Sequence, residues 1–231
     1  MNKYRHLFFD LDHTLWDYNR NVRESLNELF DIYMLEELGV PSFDDFFGAF
    51  NAVNRDLWSL YDRGKIDRDF LRKERFKRIF EHLDADGLAV PPEMEEEFMQ
   101  RTSSKPHLLP HSTTILGYLQ QKYELHIITN GFDSSQAMKM AASGLTSYFQ
   151  LIVTSETTSY RKPDKRIFEY AVDRLQTSPS ACLMIGDNPE ADIVGAKNAN
   201  IDQVLFNPLD LPSPVEATYT INCLSELKSL L

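Results

Sequence analysis

Leu7-Phe8-Phe9-Asp10-Leu11-Asp12-His13-Thr14 contains the first apolar run of the chain, and its reading decides the fold. Three large apolar residues in succession, with no polar alternation, mark a strand buried on both faces. Asp10 stands where that strand ends. Four later runs share the character: Leu125-His126-Ile127-Ile128-Thr129, Leu151-Ile152-Val153-Thr154, Cys182-Leu183-Met184-Ile185 and Gln203-Val204-Leu205-Phe206. Helical stretches separate them, over 112–122, 134–142, 165–175 and 189–198. Strand and helix in alternation predict βαβ units and a parallel sheet, the α/β class.

Between the first two runs the pattern changes. From Arg20 to Arg101 apolar residues recur at three- and four-residue steps, as in Leu26, Leu29, Phe30, Tyr33 and Met34, and again in Phe46, Phe50, Val53, Leu57, Leu60 and Tyr61. Breaks at Gly39-Val40-Pro41, Asp62-Arg63-Gly64 and Val90-Pro91-Pro92 divide this segment into four or five helices. The expected organisation is 1–16 with 108–231 as an α/β unit, carrying 17–107 as a helical insertion. The run Glu93-Met94-Glu95-Glu96-Glu97 reads as a solvated helix start, where negative charge suits the helix dipole.

Composition narrows the function. The chain has 231 residues, 42% of them hydrophobic and 26% charged, which excludes fibrous and disordered classes. Its net charge of −11 repels nucleic-acid backbones and anionic lipid, although a local cluster of cations still admits a small phosphorylated ligand. No apolar stretch has the length of a membrane span, and the start, Met1-Asn2-Lys3-Tyr4-Arg5, lacks the apolar region of a signal peptide. The expectation is a cytoplasmic protein with no nucleic-acid polymer and no membrane as partner. Cys182 and Cys223 form no CxxC spacing, and Cys182 reads as a buried thiol.

The chemistry-bearing segments fall at strand ends, where open α/β sheets bind ligands. They are Asp10-Leu11-Asp12-His13-Thr14, Thr129-Asn130-Gly131, Arg161-Lys162-Pro163-Asp164 and Gly186-Asp187-Asn188-Pro189-Glu190-Ala191-Asp192. Singly, each has a plainer reading. Thr129 and Asn130 also suit a helix cap, Lys162 an exposed lysine, and Asp187 and Asp192 the acids of a helix start. Two other acidic pairs, Asp67-Arg68-Asp69 and Asp84-Ala85-Asp86, have no strand before them and read as helix-end carboxylates. His107 and His111 have zinc-like spacing, but Pro110 between them breaks the shared helix face, so zinc is rejected.

Taken in order, Asp-x-Asp-x-Thr, Thr-Asn-Gly, Lys-Pro and Gly-Asp-x₄-Asp resemble the haloacid dehalogenase-like superfamily of phosphohydrolases over nearly the whole chain. The wording from Phe8 to Asp17, from Arg161 to Phe168 and at Phe206-Asn207-Pro208 is similar to the noncanonical pyrimidine nucleotidase branch. The resemblance implies a Rossmann-like core with the helical insertion as its cap, and Mg²⁺ as cofactor. It also implies hydrolysis of a phosphate monoester through an aspartyl phosphate. By the same resemblance Asp10 is the nucleophile and Asp12 the general acid and base, while Thr129, Asn130 and Lys162 hold the phosphoryl group. The implied metal ligands are Asp10, the Asp12 carbonyl and Asp187, with Asp192 behind them. The implied substrate is a small phosphorylated metabolite, a pyrimidine or modified nucleoside monophosphate. A phosphosugar or phosphoglycolate phosphatase and a non-catalytic phosphate-binding protein stay open as alternatives. His13, at the variable position of the first motif, reads as a packing residue. Trp16, Tyr18, Asn19 and Arg20 read either as packing at the cap boundary or as contacts to a base or ribose.

Overall fold

The computed structural model describes residues 3–85 and 90–231; Met1, Asn2 and Asp86, named above, lie outside them. The chain divides into two units, Asn19–Lys105 and the combination of Met1–Tyr18 with Pro106–Leu231.

The first unit is helical: α1 (Tyr18–Ile32, entered one residue before the unit begins), α2 (Phe43–Asp62), α3 (Arg68–His82) and α4 (Met94–Ser103). Ser42 starts α2 by accepting the Asp45 N–H at 3.1 Å, and Asp67 starts α3 by accepting the Phe70 N–H at 2.8 Å. The Asp67–Asp69 pair is thus the start of a helix, as its context predicts. Aromatic rings fill the interior: Phe46 lies 6.1 Å from Phe30 and 6.4 Å from Phe76, and Phe98 lies 5.1 Å from Phe50. Two details differ from the sequence expectation. Met34 continues the apolar spacing of α1 but lies beyond its end, at φ 46° and exposed. Glu95 is no solvated helix-start acid. It turns inward to Arg72 and Arg75, at 3.4 and 3.6 Å, and burial pushes its carboxyl above the usual range.

The second unit is one sheet of six parallel strands, β1 (His6–Phe9), β2 (Glu124–Thr129), β3 (Leu151–Thr154), β4 (Cys182–Gly186), β5 (Asp202–Phe206) and β6 (Tyr219–Ile221), in the order β3-β2-β1-β4-β5-β6. The helices of this unit are α5 (Ser112–Leu119), α6 (Asp133–Ala142), α7 (Ser155–Thr158), α8 (Lys165–Arg174), α9 (Gly195–Asn198) and α10 (Leu227–Leu230). A π-helical turn over Pro189–Val194 leads into α9. Burial on both faces explains the unbroken apolar runs. Leu7 and Phe9 join one core with Leu125, Ile127, Leu183 and Ile185, while Phe8 joins another with Ile128, Val153 and Met184. Each such side chain contributes about 1.5–3 kcal/mol when taken fully out of water. Cys182 lies in that second core, and burial pushes its thiol up to about 12.

Candidate active site

The sheet order reverses beside β1. The chain passes from β1 to β2 and β3 on one side, then returns to place β4 on the other. Such a reversal leaves a crevice outside the carboxyl ends of the two central strands. Phe9 pairs with Ile185, and the Asp10 N–H donates to the Ile185 carbonyl at 2.9 Å, so Asp10 and Asp187 leave adjacent strands side by side.

Lys162 reaches this place from the loop before α8. Its ammonium donates to Asp10 Oδ1 at 2.5 Å, Asp192 Oδ1 at 2.6 Å and the Ile128 carbonyl at 2.9 Å. All three ammonium hydrogens have acceptors. Asn130 fixes the loop that carries it. Its Oδ1 accepts the Lys162 N–H at 2.7 Å and its Nδ2 donates to the Lys162 carbonyl at 2.9 Å. The Asn130 side chain is therefore spent on the Lys162 main chain. Asp192 is closed on its other side, where Oδ2 accepts the Asn188 N–H at 3.0 Å.

The second carboxylate of the first motif, Asp12, is held by α6. Lys139 Nζ donates to its two oxygens at 2.6 and 2.9 Å, and Gln136 Nε2 donates to Oδ2 at 3.0 Å. The same Nε2 donates to Thr129 Oγ1 at 2.7 Å. Thr14 ties the first motif to the last: its hydroxyl donates to Asp187 Oδ1 at 3.2 Å and accepts the Asp187 N–H at 3.1 Å. Gln136 and Lys139 were invisible as site residues in the sequence, for they read as ordinary helix polars. Their one clue is that they lie three residues apart on the helix that follows Thr-Asn-Gly, hence on one face. Thr14 was visible only as the end of its motif.

Electrostatics set these groups apart. Burial raises Asp10 to about 7, with Lys162 opposing and Asp192 reinforcing the rise. Asp187 rises to about 7 through burial and the charge of Asp10, and burial raises Asp192 as well. Burial disfavours the charge on Lys162, but Asp10 and Asp192 outweigh it and hold the ammonium above its ordinary range. Asp12 goes the other way: burial would raise it, and Lys139 and Gln136 together hold it below the usual carboxylate range.

The carboxylate oxygens of Asp10, Asp187 and Asp192 offer a ligand set within 4.8 Å of one another. Three carboxylates, those of Asp10 and Asp192 buried and that of Asp187 partly so, face the one ammonium of Lys162, and this shortfall of positive charge adds to the rise that burial causes. Hard oxygen donors with that deficit suit a divalent ion of the Mg²⁺ kind. His107 and His111 join no such cluster among the described residues; His111 begins α5 at φ 70°. His13 lies exposed at φ 64° with its ring 4.4 Å from that of Tyr18. Trp16 is fully buried beneath Lys139, whose Nζ lies 4.6 Å from the ring centroid, so Trp16 packs and does not meet a base.

The model of the haloacid dehalogenase-like hydrolases matches residues 4–200. The chain belongs to that family. The hydrolase is 32% identical to HAD-hydrolase YfnB of Bacillus subtilis over 100% of this chain and 97% of that protein. It is also 32% identical to the pyrimidine 5′-nucleotidase YjjG of Escherichia coli, over 99% of this chain and 98% of that one. The crystal structure of YfnB bound to magnesium superposes with a TM-score of 0.87, at 31% identity and 99% coverage of both chains. No helix among the hydrolase's described residues is long and apolar enough to cross a membrane.

Proposed function

We propose that this hydrolase is a cytoplasmic, Mg²⁺-dependent 5′-nucleotidase that cleaves pyrimidine or modified nucleoside monophosphates through a phosphorylated Asp10. The observation that carries the chemistry is the setting of Asp10, a buried carboxylate at a strand end, gripped by one fixed ammonium and crowded by Asp187 and Asp192. The nucleotide preference is supported by the full-length relative YjjG, named a pyrimidine 5′-nucleotidase.

The reaction follows from the residues. An Asp10 oxygen attacks phosphorus as the bond to the ester oxygen breaks, giving an acyl phosphate in place of a phosphate ester. Asp12 rests ionised, so the proton it relays to the leaving oxygen is one the phosphate monoanion brings; phosphate monoesters titrate near pH 6. In the second half-reaction Asp12 takes a proton from water as that water attacks phosphorus, and Asp10 leaves as a carboxylate. Lys162 and the Thr129 hydroxyl face the charge on the phosphoryl oxygens. Asp10, the Asp12 carbonyl and Asp187, with Asp192 behind, would hold a divalent ion, which would supply the positive charge that a carboxylate needs beside an anionic phosphate. The helical unit serves as the cap that selects the leaving group.

The test is a panel of nucleoside monophosphates and phosphosugars compared by kcat/KM, with Mg²⁺ and with chelator. Pyrimidine nucleotides leading the panel, with activity lost in chelator, support the reading. A flat panel rejects the nucleotidase assignment, and phosphosugars in the lead transfer it to a phosphosugar phosphatase.

A further inference from the structure

We propose that Gln136 and Lys139 are positioning residues of the reaction. Gln136 commits the Thr129 hydroxyl to donating, and Lys139 aims the Asp12 carboxylate. The inference rests on the phosphatase reading above, in which Thr129 meets the phosphoryl group and Asp12 moves the proton.

A threonine hydroxyl has one hydrogen and two lone pairs. Both acceptor places on Thr129 are filled, by Gln136 Nε2 at 2.7 Å and by the Gly131 N–H at 3.1 Å. The remaining hydrogen can only donate, which is the polarity an anionic ligand requires. Gln136 cannot be turned over, since its carbonyl oxygen would then face the Asp12 carboxylate that its Nε2 now meets at 3.0 Å. Both hydrogens of that amide are used. Space for it exists because position 131 is glycine: a Cβ there would lie 2.2 Å from Gln136 Nε2. The third residue of Thr-Asn-Gly thus makes room for the group that orients the first.

Lys139 is a buried cation, 8% exposed, clamped between two anionic oxygens and the face of Trp16. A carboxylate gripped at both oxygens keeps one rotamer. A general acid or base acts only within hydrogen-bond reach of the proton it moves, so the direction of Asp12 governs its effect.

Two substrates separate these roles from mere packing. With p-nitrophenyl phosphate the leaving group departs without a proton, whereas a nucleoside 5′-monophosphate releases an alkoxide that needs one. kcat/KM reports the steps up to formation of the acyl phosphate, which isolates that difference. Lys139→Met lowers kcat/KM about 10- to 100-fold on the nucleotide and less than about threefold on p-nitrophenyl phosphate, and Lys139→Arg restores most of the loss. Gln136→Met lowers kcat/KM on both substrates, because the phosphoryl oxygens are common to both. Its loss is non-additive with that of Thr129→Val, as expected for one unit. Equal losses on both substrates for Lys139→Met, no loss at all, or additive losses for Gln136→Met and Thr129→Val overturn the inference. Asp10→Asn is run in parallel: an active Asp10→Asn defeats the phosphatase reading itself, a failure distinct from that of the positioning roles.

Discussion

Gly186 and Asp192 fit together only because Gly186 has no side chain. A Cβ at Gly186 would lie 2.2 Å from Asp192 Oδ2 and 2.4 Å from its Cγ. Asp192 has nowhere to go, with Lys162 on one oxygen and the Asn188 N–H on the other. Gly186→Ala therefore displaces the carboxylate that holds Lys162. The expected result is a drop in kcat of about 100-fold with a stability loss of about 1–3 kcal/mol. Gly117→Ala is the control: nothing lies within 4 Å of its Cβ, and a helical glycine replaced by alanine gains about 0.5–1 kcal/mol. Steady-state kinetics and urea unfolding check both; a fully active Gly186→Ala contradicts the contact.

Asp10→Asn removes the nucleophile and one of the uncancelled buried charges at once. Phosphate release from p-nitrophenyl phosphate should fall to background while thermal stability at pH 8 holds or rises. Asp12→Ala keeps the nucleophile and lowers kcat on nucleotides by about 10²- to 10⁴-fold. Wild-type turnover by Asp10→Asn would falsify the acyl-phosphate route.

Raised carboxylates give the metal prediction its sign. Asp10 and Asp187 have folded values of about 7 against an ordinary 3.8. Their contribution is present at low pH and lost as pH rises through about 7, so the metal-free protein carries a penalty at pH 8. Mg²⁺ offsets it, by about 2.7 kcal/mol at a hundredfold excess over Kd, or several degrees in Tm. The shift is larger at pH 8 than at pH 5, reverses in chelator and disappears in Asp187→Asn. Calorimetric scans showing a pH-independent shift, or one retained by Asp187→Asn, would place the ion elsewhere.

A second pH effect comes from the opposite end of the sheet. His126 is fully buried, with Nε2 3.2 Å from His6 Nδ1, and burial lowers it to about 4, helped by His6 and opposed by Glu124. A histidine lowered in the folded state binds protons more readily when unfolded, so its contribution is lost as pH falls from about 6.5 to about 4. The loss is about 3 kcal/mol. Because Asp10 and Asp187 act in the reverse direction over this range, the measurement is a difference. With the offset at pH 8 subtracted, wild type loses about 3 kcal/mol relative to His126→Phe by pH 4 in urea titrations. Parallel curves for the two proteins would show that His126 does not titrate on unfolding.

How much of this was legible in sequence depended on the signal each part leaves. The five long strands announced themselves through runs such as Leu183-Met184-Ile185, because burial on both faces leaves no polar alternation. Tyr219-Thr220-Ile221, three residues at the sheet edge with Thr220 exposed, leaves no such run and was missed. Asp10, Lys162, Asp187 and Asp192 were singled out by their motifs, and these four side chains do meet, beyond the carboxyl ends of the central strands. Gln136, Lys139 and Glu95 were not found. A polar residue on a helix has the same letter whether it faces water or a buried partner, and only the tertiary fold distinguishes the two cases.

The pairing of Asn130 with the main chain of Lys162 has an evolutionary consequence. Partners made of two side chains drift together, since a change in one is answered by a change in the other. Backbone amides offer no alternative letters, so damage at Asn130 has no suppressor at position 162. A selection for revertants of Asn130→Ala should return asparagine itself and leave the lysine codon untouched.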